Sequence, residues 1–199
     1  MKSFFINNSI KIITNYNKNY NQEELEKLKY GLEGIYLTIT KTIIIILLGI
    51  LFNIITEILI ITLAFNLLRY FAFGFHAKES LDCLIFSILL FIFLPLFIFN
   101  VKIKWIYKLI IAILCTIVIM IFAPADTIKR PLPNKKKRII RKLLSTVISI
   151  LYTVTIITAN NFISNALLCA IIIQTINVNP ITYMIFKQPF NNYKTLTTD

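Results

Sequence analysis

Apolar runs dominate the chain, and their lengths read as membrane-crossing helices. Residues 42–51 and 84–99 are almost continuously apolar. A lipid-spanning barrel would instead alternate polar and apolar positions, so the runs point to helices. The pattern predicts spans at about 35–52, 54–70, 84–99, 105–122, 143–159 and 162–186. The apolar stretch from 35 to 68 is too long for one crossing of about 20 residues, which predicts a tight helical hairpin turning near Asn53. Pro95 is expected to kink the third span. Ahead of the first span, Glu23, Glu24 and Glu26 mark a helix start. Lys41, inside that span, reads as a lysine that snorkels to the headgroups.

At the N-terminus Ile6, Ile10, Ile13, Asn17 and Tyr20 follow helical spacing, with Lys2, Lys11 and Lys18 on other faces. This predicts an amphipathic helix lying in the membrane interface; the alternative is a loosely ordered Asn-rich tail. The apolar stretch Phe4, Phe5, Ile6 is too short for a secretory signal. The expected fold is therefore all-α: a polytopic membrane helical bundle of about six spans plus an N-terminal interfacial helix. It is read as a single integral-membrane domain over 1–199, with the interfacial helix at 1–21, the bundle at 22–186 and a polar tail at 187–199.

Composition strengthens this reading. With 57% apolar residues, 15% charged and a mean hydropathy of +0.77, too little polar surface exists to cover a soluble domain of this size. The net charge of +12 raises the question of nucleic acid, but eight of the 21 basic residues fall between Lys129 and Lys142, beside an apolar span. That placement fits a cytoplasmic loop facing anionic lipid, and no stacking aromatic lies among residues 131–142, so no nucleic-acid partner is expected. Six spans would put both termini, the 69–82 segment and the basic loop on one side. That side holds seventeen positive charges against three (Lys102, Lys104, Lys108) on the other. The excess marks it as cytoplasmic.

Few residues can carry chemistry. Histidine occurs once, at His76, and the cysteines are Cys83, Cys115 and Cys169. The last two sit inside Ile/Leu-rich spans and read as inert thiols. Cys83 lies at a span boundary, next to Asp82 and seven residues after His76, where a thiol meets both water and an imidazole. Such a pair is the minimum for thiol nucleophilic catalysis. In one continuous helix, residues seven apart are separated by about 10.5 Å along the axis, so joint action requires a bend, which Gly74 and the polar run Lys78, Glu79, Ser80 permit. Asp82, Glu79, Ser80 and Asp126 are all candidates to orient the imidazole. Arg69 is either an oxyanion or carboxylate binder or a topology anchor, and Gly74 reads as a backbone hinge. One histidine and three scattered cysteines give no metal site, and no cofactor is expected.

The stretch Arg69-Tyr-Phe-Ala-Phe-Gly74-Phe-His76-Ala-Lys-Glu-Ser-Leu-Asp-Cys83 resembles the catalytic segment of the accessory gene regulator B (AgrB) family, membrane cysteine endopeptidases of bacterial quorum sensing. Phe122-Ala-Pro-Ala-Asp126, followed by the basic run from Lys135, is similar to that family's second landmark, and the hydropathy profile agrees from end to end. The family pattern often has small residues around the histidine and a second basic residue after the arginine; Tyr70, Phe73 and Phe75 occupy that region here, which bears on substrate identity rather than on the chemistry.

The resemblance implies a bacterial cell-membrane protein that processes an AgrD-type precursor peptide. Cys83 and His76 would cut it, hold the acyl group as a thioester on Cys83 and release a thiolactone or lactone. It also implies a homodimer in the lipid. Lys135, Lys136, Lys137 and Arg138 are placed to attract an acidic peptide tail, although topology and lipid contact alone would explain them. A membrane protein that binds or moves peptides without cutting them is the competing reading, and a purely structural multi-span scaffold is a third.

Overall fold

The structure, a computed structural model, describes residues 2–16, 20–75, 80–127 and 131–193. Among these, α-helices account for nearly all regular structure, and six helical segments are long and apolar enough to cross a membrane. The chain divides into two compact units, Met1–Leu48 and Gly49–Asp199.

The first unit holds α1 (Lys2–Tyr16) and most of α2 (Gln22–Leu51). Within α1 the expected stripe is only partly realised: Ile6 is buried and Ile10 and Ile13 are half-buried, whereas Tyr20 falls beyond the helix end and Asn17 and Lys18 lie outside the described residues. The Phe5 ring packs on Tyr36 with centroids 5.5 Å apart. A reciprocal cap starts α2: the Asn21 side chain accepts from the Glu24 N–H at 2.8 Å, and the Glu24 carboxylate accepts from the Asn21 N–H at 2.9 Å. This arrangement satisfies two of the donors that a helix start leaves open.

The second unit contains the remaining helices. Asn53, with φ 54°, makes the turn into α3 (Ile55–Ala72), a left-handed conformation that asparagine tolerates better than most residues. The third span is composite: α4 (Ser80–Ile88), a π-helical stretch Leu89–Phe93, and α5 (Leu94–Asn100). The irregularity expected from Pro95 takes this form. Proline offers no N–H to the preceding turn, and the chain widens before it, with the Leu94 N–H reaching back to the Leu89 carbonyl.

Two boundaries differ from the sequence reading. Helix α7 (Lys135–Thr158) begins well before residue 143, because the Asn134 side chain caps it at the Lys137 N–H; six of the eight basic residues expected in the loop therefore lie on a helix. The last span, α8 (Asn161–Val178), ends before 186. Asn179 is extended ahead of Pro180 and caps a separate short helix, α9 (Pro180–Ile185), as expected for a residue preceding proline.

Around α8 the unit is organised as a bundle. It packs against α3, α5, α6 (Trp105–Phe122) and α7, and 61% of it is buried against at most 28% of any other span. Ser164, Ala166, Cys169 and Ala170 keep its surface small, which lets neighbouring backbones approach. Cys115 and Cys169 are buried free thiols. Lys108, one of the three charges counted on the non-cytoplasmic side, is only 5% exposed, its ammonium 3.3 Å from the Ser164 hydroxyl.

With the native cysteines replaced, single cysteines introduced at Lys102 and Asn160 are expected to react with an impermeant maleimide from the same face of the membrane, and one at Asn134 only from the opposite face. Labelling of all three from one face would overturn the six-span arrangement.

Candidate functional site

The polar segment between α3 and α4 is not one unbroken helix. Helix α3 stops at Ala72 and α4 starts at Ser80. Residues 73–75 leave the helix as a short re-entrant strip, Phe73 with φ 57° and Gly74 with φ 136°. His76, Lys78 and Glu79 lie outside the described residues.

Backbone leaving a helix at a membrane boundary must find new hydrogen-bond partners, and this strip finds them in two distant parts of the sequence. Phe73 pairs with Ala125 in a parallel bridge. The Gly74 N–H donates to the Ala125 carbonyl at 2.9 Å, and the Ala125 N–H donates to the Ala72 carbonyl at 2.9 Å. From α8, the Asn177 carbonyl accepts from the Phe75 N–H at 2.7 Å, and the Gln174 side chain donates to the Phe73 carbonyl at 2.7 Å. Gly74 is required on two counts. Its φ suits glycine, and a Cβ there would sit 3.0 Å from the Asn177 carbonyl oxygen.

Arg69 closes the arrangement. Its guanidinium donates to the Phe75 carbonyl at 2.8 Å and to the Asn177 side-chain oxygen at 3.0 Å, with the Phe65 ring 5.4 Å away. This residue thus holds the carbonyl of the residue immediately before His76.

The Phe75 ring is fixed in an aromatic nest. It meets Phe186 at 4.6 Å, Tyr183 at 5.8 Å and Phe86 at 5.9 Å between centroids. Phe86 belongs to α4, one turn after Cys83, and itself packs on Phe186 at 5.3 Å. Cys83 sits half-exposed in the first turns of α4, its carbonyl accepting from the Ser87 hydroxyl at 2.7 Å. The neighbour of His76 in sequence and the neighbour of Cys83 along α4 therefore touch.

The carboxylates part company. Asp82 is exposed on α4, whereas Asp126 is fully buried, directly after the residue that pairs with Phe73. One Asp126 oxygen lies 3.7 Å from the Arg138 guanidinium and accepts from the Leu132 N–H at 3.3 Å; the other, Oδ1, has no hydrogen-bond partner among the described residues. The Tyr183 hydroxyl donates to the Ala125 carbonyl at 3.1 Å. Burial pushes that hydroxyl well above the usual tyrosine range, Arg69 draws it back and Asp126 adds to the rise, so Tyr183 remains a neutral donor. Lys135, Lys136 and Lys137 are exposed, while Arg138 turns inward beneath the Tyr193 ring. Among the described residues no group of three or more His, Cys, Asp or Glu side chains converges as a metal site would require.

Fold and site together define a multi-span helical membrane protein with a polar re-entrant segment at one bundle end. The model of the accessory gene regulator B family matches residues 6–178. The accessory gene regulator protein B of Staphylococcus aureus strain bovine RF122 is 30% identical over 184 residues, 91% of this chain and 97% of that protein. That of Staphylococcus carnosus is 38% identical over 116 residues, 57% and 61% of the two chains, and an AgrB-like protein of Clostridium acetobutylicum is 32% identical over 172 residues, 85% and 82%. No solved structure matches. The chain belongs to the accessory gene regulator B family.

Sequence reasoning placed Arg69, Gly74 and Asp126 near the site but missed Asn177, Gln174, Tyr183 and the aromatic nest. A signal for the first two was present, since amides three apart inside an apolar span are unusual. Gly74→Ala is expected to lower the unfolding free energy in detergent by about 1–3 kcal/mol, while Gly31→Ala, with no neighbour within 4 Å of its new methyl, leaves it unchanged or slightly higher. Equal effects in thermal unfolding would contradict the close packing at Gly74.

Proposed function

We propose that the chain is a cysteine endopeptidase of the bacterial cell membrane that processes an AgrD-type precursor peptide from the cytoplasmic side. The observation that carries this reading is the Phe75–Phe86 contact at 5.9 Å, because it draws the residue next to His76 against the helix turn that bears Cys83. In the reaction the His76 imidazole accepts the Cys83 thiol proton, and the thiolate attacks the scissile carbonyl. The tetrahedral oxyanion collapses, the peptide C–N bond breaks, and the imidazolium returns its proton to the leaving amine. An internal cysteine or serine of the acyl fragment then attacks the Cys83 thioester. Its proton passes through His76 to the Cys83 sulfur, and a thiolactone or lactone departs.

Asp126 is proposed as the residue that orients His76. Its burial, an Oδ1 without a hydrogen-bond partner among the described residues, and its position beside Ala125 support that role over the exposed Asp82. Arg69 and Gly74 are proposed to shape the backbone that presents the imidazole, and the exposed Lys135, Lys136 and Lys137 to attract the acidic precursor tail.

Cys83→Ala and His76→Ala are expected to abolish precursor cleavage in lipid vesicles. Asp126→Asn should lower kcat by about 10²–10⁴-fold, the range typical of general acid–base assistance, with KM little changed. Cleavage at the wild-type rate by Cys83→Ala would refute the protease and favour a protein that only binds or moves the peptide.

A further inference from the structure

A cavity of about 420 Å³ opens beside the site just described, between the end of α6, the first turns of α7 and the chain after α9. Its volume falls in the range of small-molecule sites, about 300–1,000 Å³. Phe122, Pro124 and Phe190 give it apolar walls, and Arg138 and Lys142 supply charge. The Arg138 Nη1 is buried and has no hydrogen-bond acceptor among the described residues; its nearest anion is the Asp126 carboxylate at 3.7 Å, already engaged by the Leu132 N–H. Among the described residues the Lys142 ammonium reaches only the Ile121 carbonyl, at 3.5 Å. Two cations against one carboxylate leave the cavity positive.

Its rim says which anion fits. Ile121 and Ile139, which line the cavity, are themselves 55% and 60% exposed, and Leu143, one turn beyond Ile139 on α7, is 60% exposed. An apolar track thus leads from the charged cavity onto the lipid-facing surface of two spans. A water-borne acidic peptide would gain nothing from that track and would meet Lys135, Lys136 and Lys137 first. Basic pockets between spans at the cytoplasmic boundary are the setting in which anionic lipid headgroups are held.

We propose that this cavity binds the phosphodiester headgroup of an anionic phospholipid, with Arg138 and Lys142 contacting the phosphate and an acyl chain lying along Ile121, Ile139 and Leu143. The cavity adjoins the peptide site through the Arg138–Asp126 pair, but lipid retention can be read without any precursor cleavage, so the two proposals are tested independently.

The test is native mass spectrometry of the detergent-purified full chain given equal amounts of phosphatidylglycerol and phosphatidylcholine. The wild type is expected to retain phosphatidylglycerol selectively, and Arg138→Gln and Lys142→Gln to retain it at least fivefold less. Lys142 is exposed, so its replacement leaves folding intact and the reading interpretable. Undiminished retention in Lys142→Gln, or equal retention of phosphatidylcholine by the wild type, would overturn the proposal. Displacement by excess glycerol 3-phosphate would assign the cavity to free phosphate, and displacement by an acidic peptide to the precursor; both would overturn it as a lipid site.

Discussion

The Arg69 guanidinium, shared between the Phe75 carbonyl and the Asn177 side chain, is the interaction on which the site depends. Three residues leave α3 at a membrane boundary, where an unpaired backbone group costs several kcal/mol. Arg69 is the charged member of the set that removes this cost. Hydrogen bonds to a charged donor contribute about 1.5–3 kcal/mol each, enough to hold Phe73 and Gly74 at positive φ. Every N–H of residues 73–75 is paired, and the carbonyls of Phe73 and Phe75 are met by Gln174 and Arg69. The strip is therefore defined by its partners rather than by its own propensity.

Those partners lie on α3, α8 and the residue stretch 123–126, so the site forms only when the bundle has closed. The aromatic nest adds α4 and α9 to the same assembly through Phe86 and Tyr183. Phe75, which the sequence reading linked to substrate identity, has a structural use that a smaller residue would lose. Aromatic pairs of this kind contribute about 0.5–1.5 kcal/mol beyond the area they bury, and here they join the two ends of the polar segment.

Much of this was legible in the sequence. Six spans, the turn at Asn53 and the disturbance at Pro95 follow from apolar run length and from proline and asparagine chemistry, which act locally. The break between α3 and α4 was foreseeable from Gly74 and the polar run after it. What was not legible depends on which faces meet. Hydropathy could not tell that Pro180 divides the last apolar run into α8 and α9, or that Lys108 turns toward Ser164. Nor did it distinguish Arg138, turned in beneath Tyr193, from the three exposed lysines preceding it. Asn177 had no place in the sequence reading, yet its side chain and backbone both hold the re-entrant strip.

Converting a peptide bond to a thioester is uphill, and the sequence carries no Gly-x-x-x-x-Gly-Lys phosphate loop to couple the step to nucleotide hydrolysis. In the proposed reaction, a nucleophile at the edge of an apolar bundle would limit water at the acyl group while a substrate thiol or hydroxyl attacks. The most direct measurement is therefore to mix the precursor peptide with the protein in lipid vesicles, quench in acid within one turnover, and analyse the fragments by mass spectrometry. The account requires the amino-terminal part of the precursor to be found on the Cys83-containing fragment through a bond cleaved by hydroxylamine. Precursor cleavage with no such adduct at Cys83 under these conditions, or with the adduct on another residue, would contradict it.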